Sequence, residues 1–456
     1  MKAKNKTLYF IKHTLFKKES IVPTQLLLPF LLVSLLFALW GFANAVTDPM
    51  VNVFKKVLEL SNFQASWVQM AFYGGYFCMA LPASLLMRKY SYKTGIIIGL
   101  GLYALGALLF YPAAITEQFW FFCLGLYVLT FGLAFLETAA NPYILAMGEK
   151  KTATQRLNLA QSLNPVGLIA GLLVAKYFVY DNILSDDILD FGSLDETRRA
   201  AIRVSDLAVV RDPYVALGLL ISVFFVLFIS IKMPQIKIDE SKPKFKDILN
   251  KLLKNKKYAF GVISQILYVG AQIMTWTYIY QYTEAIELSR NNDLEYLKID
   301  VFRFQLVAFI LFTIGRFIGT PMLRYISPGK LLMGSAICAV ISVTGTIFFQ
   351  DILGLYFLVS ISFWMSIMFP TIYGIALYDL TEDESKIGSA GLVMAIVGGA
   401  LLPMLQGYII DAGGDGVADT LIMGVSEVNF SFILPFSCFI IIALYGYYSH
   451  KMSNQF

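Results

Sequence analysis

Apolar runs of about 20 residues recur along the whole chain, and no other feature of the sequence restricts its fold as strongly. A helix needs about 20 apolar residues to cross roughly 30 Å of hydrocarbon. Twelve runs qualify, at approximately 24–50, 64–87, 94–115, 118–147, 157–180, 213–233, 257–282, 302–323, 330–349, 352–379, 387–411 and 428–449. Over its 456 residues the chain is 57% hydrophobic and 15% charged, against about 25% charged in soluble domains. The expected fold class is an all-α polytopic membrane protein with twelve transmembrane helices. Glycine and proline inside the runs are compatible with this, because neighbouring helices satisfy the backbone groups that a break releases.

With the N-terminal segment placed in the cytoplasm, the inner segments collect most of the 36 Lys and Arg residues, including Lys2 to Lys18, Arg88, Lys89, Lys93, Lys150, Lys151, Arg156 and nine lysines from Lys232 to Lys257. The positive-inside bias then predicts cytoplasmic N- and C-termini. The first apolar run exceeds 20 residues and has no small-residue cleavage site behind a short core, so it is expected to stay attached rather than act as a signal peptide. Residues 181–212, of mixed charge, are expected to form a solvated outer loop.

The basic segment 232–256 divides the spans six and six, predicting an N-terminal half (1–231), a cytoplasmic linker and a C-terminal half (257–456). Internal echoes support a duplication: "NPYILAM" at 141 against "FPTIYGI" at 369, and "LLMRKYSYKTG" at 85 against "MLRYISPGKLL" at 322. Parallel six-helix halves with a site between them near mid-depth are the plan of major facilitator transporters. Within the linker, 246–254 is amphipathic and is expected to lie on anionic lipid.

Ionisable residues inside the spans carry the most information, since an acid at the centre of a membrane helix costs about 2.5 to 3.5 kcal/mol and must face protein or water. Glu137 falls at mid-depth in the fourth run and Asp48 towards the outer end of the first. A carboxyl group shielded from water favours its protonated form, and releases the proton when water reaches it. Around these acids lie amides and aromatics: Asn44, Thr47, Gln69, Tyr73, Asn141, Asn158, Gln161, Asn164, Gln272 and Trp276. Amides both donate to and accept from hydroxyls, while an aromatic ring covers the apolar face of a ring-shaped ligand. The set suits a neutral polyol or sugar, although any single amide serves equally well as interhelical glue. Arg316 is expected to be structural, pairing an acid or backbone carbonyls. Asp379 and "DLTEDES" sit at an inner helix end, where gate salt bridges and plain solvation are both open readings.

Other functions find little support. No Walker loop, HExxH or zinc spacing is present, and the two histidines, His13 and His450, lie near the termini. Cys78, Cys123, Cys338 and Cys438 are isolated within apolar runs, which suggests neither disulfides nor a metal site. An enzyme, a cofactor and a nucleic-acid partner are not expected, nor is a receptor that binds without transporting. The expected partners are a monosaccharide, protons and the lipid bilayer, and the expected functional unit is a monomer.

The segments "WGFANAVTDP", "NFQASWVQMAFYGGYF", "LPASLLMRKYSYKTGIIIGLGLYALGALLFYPAA", "GLAFLETAANP", "RLNLAQSLNPVG", "YVGAQIMTWTY", "IGRFIGT" and "FPTIYGIAL" together resemble the L-fucose:proton symporter family of the major facilitator superfamily. The resemblance extends over both halves. It implies a sugar:proton symporter of a bacterial cytoplasmic membrane working by alternating access, with L-fucose as the leading substrate. It further implies that Asp48 and Glu137 are the protonatable pair, and that Gln161 and Asn164 line the sugar cavity with polar residues of the first span. The pattern departs at Ala45, where the family carries one of a run of asparagines. Glucose, galactose or an amino sugar therefore remain alternatives, as does an uncoupled facilitator.

Overall fold

The computed structural model describes residues 20–60, 62–188, 194–234, 243–290, 299–414 and 420–453; within them, side chains at 48–53, 55–56, 62–66, 69, 186–187, 290 and 453 lie outside the description. Among the described residues, twelve helical segments are long and apolar enough to span a membrane. In chain order they are Thr24–Thr47, Met70–Lys89, Tyr92–Thr116, Phe119–Ala146, Lys150–Asn182, Glu196–Ser230, Lys256–Ser289, Val301–Met322, Pro328–Phe348, Ile352–Leu377, Glu382–Gly413 and Glu427–Met452.

The packing repeats with a shift of six spans. The first packs on the fifth, the third on the fourth and sixth, and the second on the fourth. In the same way the seventh packs on the eleventh, the ninth on the tenth and twelfth, and the eighth on the tenth. Two bundles of like architecture result, consistent with the internal sequence echoes. Close crossings within a bundle rely on glycine: a Cβ on Gly167 in the fifth span would come within 1.8 Å of the Ala38 carbonyl oxygen in the first.

Several spans are discontinuous near mid-depth. The fifth breaks between helices Ala153–Gln161 and Asn164–Val174, with Pro165 in the first turn of the second. The tenth breaks between Ile352–Met365 and Met368–Leu377, just ahead of Pro370. Proline has no N–H and clashes with the carbonyl four residues earlier, so a break or bend there is expected. The fourth span runs through Pro142 without interruption.

One sequence expectation is corrected. Residues 181–212 are not a loop throughout: the sixth helix begins at Glu196, capped by the Asp195 carboxylate on the Arg198 amide. Its 35 residues give a length of about 52 Å, well beyond a bilayer's hydrocarbon. The polar extension is tied down by buried Asp206, which accepts from the Leu184 and Ser185 amides, and by Arg203, which donates to the Val57 carbonyl. Hydropathy alone misses such a helix because its stabilising contacts are polar. The linker's expected amphipathic segment, 246–254, is helical throughout, within Phe245–Lys254, with Ile248 and Leu252 buried.

Candidate functional site

The two bundles meet around Glu137, which is buried in the fourth span together with Thr138, Asn141 and Pro142. Asn141, one turn on, donates to the Glu137 backbone carbonyl (3.1 Å) and approaches its carboxylate (3.5 Å). Gln161, at the break of the fifth span, donates to the Asn141 side-chain oxygen at 2.7 Å. An acid, an amide and a second amide thus form one chain, which places three of the sequence-predicted residues together. The Glu137 carboxyl also lies within electrostatic reach of the Tyr76 and Tyr373 hydroxyls. Among the described residues no basic side chain lies within salt-bridge distance of it.

The remaining candidates are distributed around this chain. Asn164 is half-buried and donates to the Phe37 carbonyl in the first span at 3.2 Å. Asn44 has its side-chain oxygen buried with no hydrogen-bond partner. Tyr73 packs on Gly399 of the eleventh span, where a Cβ would fall 2.9 Å from its ring. Gln272 is half-buried in the seventh span. Trp276 is buried, donates to Ser362 (3.1 Å) and meets Phe309 and Phe312 edge-on. Asp48 lies in the first helix; its side chain and that of Gln69, and with them the expected pairing of Asp48 with Glu137, lie outside the described residues. Asn158 donates to Thr371 across the halves, leaving its own oxygen unpartnered.

Arg316 pairs with backbone carbonyls. Its Nε donates to Ser366 O (2.6 Å) and its Nη1 crosses to Gln161 O (2.9 Å), with the guanidinium 4.7 Å from the centre of the Phe312 ring. Both carbonyls lie four residues before a proline, Pro370 and Pro165, and so lack a helix donor. The buried charge is held by the acceptors those prolines release.

Hydrogen bonds between the halves run from this level towards the face that carries Arg88, Lys89 and Lys93. They include Asn158 to Thr371 (3.2 Å), Gln155 to Thr320 O (3.2 Å) and Ser389 to Thr138 O (2.9 Å). At the face itself Arg88 pairs with Asp383 (3.2 Å), and Lys386 pairs with Glu382 (2.8 Å) while lying over the Tyr92 ring. Lys257 pairs with Asp379 and linker Lys251 with Glu384. The four acids of "DLTEDES" thus all form ion pairs, Asp379 while remaining 61% exposed.

Sequence reading missed four residues near this site: Tyr76, Trp40, which donates to the Tyr76 hydroxyl (2.9 Å), Tyr373 and Ser389. Tyr76 was within reach of sequence reasoning, one turn beyond Tyr73. A single serine in "KIGSAG" looks like any small packing residue.

Comparison with known proteins decides the family. The profile of the Major Facilitator Superfamily matches residues 30–403. The chain is a major facilitator. More specifically, it belongs to the L-fucose:proton symporter family. It is 50% identical to the L-fucose-proton symporter of Haemophilus influenzae over 95% of this chain and 99% of that one. It is 32% identical to a glucose/galactose transporter of Brucella abortus, covering 92% and 93% of the two chains. Among solved structures it superposes on the transporter FucP in its outward conformation with a TM-score of 0.80, at 32% identity, covering 93% of this chain and 99% of that one. The twelve-span fold with two six-helix halves expected from sequence is the fold observed for this major facilitator.

Proposed function

We propose that this chain is a proton-coupled L-fucose importer that works by alternating access, with residues 1–231 and 257–456 as the moving halves and 232–256 as their cytoplasmic linker. It is a multi-pass protein of the bacterial inner membrane, and its basic face with both termini is assigned to the cytoplasm. The observation that carries the reading is Glu137: a carboxyl buried where the halves meet, bonded to an amide and without a cationic partner among the described residues. Ionised in a closed pathway, it would bear an uncompensated charge, so the carrier crosses favourably with the acid protonated. Asp48, near the outer end of the first span, is assigned as its partner in proton uptake.

The sugar is assigned to Gln161, Asn164, Asn141 and Asn44, with Tyr73, Gln272 and Trp276 as its further contacts. The unpartnered oxygen of Asn44 supports this, since a buried acceptor without a donor is costly and a sugar hydroxyl satisfies it. The inter-half bonds towards the basic face support a state closed on the cytoplasmic side. L-fucose is preferred because the relative carrying that name is 50% identical. Glucose or galactose is the second reading, favoured by the Brucella abortus relative and by Ala45.

The experiment is external alkalinisation in cells or proteoliposomes on adding single sugars. L-fucose is expected to give the largest signal in a panel with glucose, galactose and N-acetylglucosamine. A larger signal from glucose or galactose would replace the substrate, and sugar uptake with no proton movement would replace the symport reading.

A further inference from the structure

Three carbonyls at the centre of the molecule have lost their helix donor to a proline four residues later: Thr138 to Pro142, Gln161 to Pro165 and Ser366 to Pro370. In a bilayer such groups must be satisfied from within the protein. All three are, and two of the donors come from the opposite half. Ser389 of the eleventh span donates to Thr138 O at 2.9 Å, and Arg316 of the eighth donates to Gln161 O at 2.9 Å as well as to Ser366 O within its own half.

The serine bond is supported on both sides. Ser389 has one hydroxyl hydrogen, which goes to Thr138 O; its close contact with the Tyr373 hydroxyl therefore has tyrosine as the donor. The Thr138 hydroxyl is turned to Ala134 O and cannot substitute. Tyr373, Ser389 and Thr138 are all buried. Thr138, whose carbonyl Ser389 holds, is the acid's neighbour in sequence, and the side chain of Gln161 is linked to the acid through Asn141.

We infer that Ser389 and Arg316 are positioning residues that latch the basic face shut by donating to the carbonyls released by Pro142 and Pro165. Opening this face separates both donors from their acceptors, and entering water is then the replacement donor. That water arrives beside Glu137, so opening and proton release towards the basic side occur together. This second consequence rests on Glu137 being the proton carrier; the latch does not.

The test is a double-mutant cycle on the full chain in lipid nanodiscs, read by amide hydrogen exchange of segments 153–161 and 382–394, without sugar or proton gradient. Ser389→Ala orphans the Thr138 carbonyl only while the face is closed, and is expected to raise exchange in both segments about tenfold. Pro142→Ala restores an N–H at position 142, so adding Ser389→Ala on that background is expected to change exchange less than about twofold. Tyr373→Phe, which removes the donor that orients the Ser389 hydroxyl, is expected to act in the same direction by about threefold, and unchanged exchange in this variant overturns the latch if Ser389→Ala does not fold. Unchanged exchange in Ser389→Ala, or an equal effect with and without Pro142, overturns the latch. Because no gradient is used, its failure is separable from that of the coupling reading, which shows instead as proton-driven accumulation surviving in Glu137→Gln. In proteoliposomes, Ser389→Ala is expected to lower L-fucose accumulation while preserving exchange; an equal fall in both overturns the link from latch to coupling.

Discussion

Of the candidate residues, the first half carries the acid and most of the amides, Glu137, Asn141, Gln161, Asn164 and Asn44, with the Tyr73 ring, whereas the second carries a single amide, Gln272, an aromatic cluster around Trp276 and the guanidinium of Arg316. The scaffolds repeat, down to the echo that sets Pro142 against Pro370, but the chemistry does not. Hydrogen-bonding and titratable groups on one side suit recognition of hydroxyls and a proton. Rings and a backbone-bound cation on the other suit an apolar wall and a latch between the halves. A duplicated fold has thus divided its labour by side chain while retaining the packing scheme.

The largest effect expected from this asymmetry is in Glu137→Gln. A potential of 100 mV contributes about 2.3 kcal/mol per proton charge, so loss of coupling removes up to about fiftyfold accumulation. Exchange of L-fucose across proteoliposomes should persist, and accumulation should cease to respond to external pH. Gln161→Ala removes the donor to Asn141 and is expected to weaken sugar binding about tenfold, measured by calorimetry. Trp276→Phe keeps a ring on the second half's wall but loses the bond to Ser362, and a reduction in affinity of about threefold is expected. If that substitution proved costlier than Gln161→Ala, the recognition surface would lie in the second half and the division proposed above would be reversed. The smallest effect belongs to Lys257→Ala: its partner Asp379 is 61% exposed, and such pairs contribute about 1 kcal/mol or less. Transport by this variant should stay within about twofold of the unmodified protein.

The twelve spans were legible because the bilayer accepts few solutions: a continuous apolar run of the right length must be a helix. Glu137 was legible for the same reason, as an acid that hydrocarbon does not tolerate. The polar start of the sixth helix was not, since Asp206 and Arg203 are stabilised by partners distant in sequence. Arg316 was legible as structural, and the carbonyls it holds were one of the two alternatives considered. Ser389 was not, because its significance depends on a carbonyl 251 residues away.

What the sequence determined by itself was where helices must form and which of their carbonyls lose a donor. Apolar length sets the spans, and a missing N–H at Pro142, Pro165 and Pro370 sets which carbonyls need outside donors. What only the tertiary structure decided was who supplies them. Hydrogen bonds act over about 3 Å, so the pairing of Thr138 with Ser389 and of Gln161 with Arg316 exists only once the two halves are brought face to face.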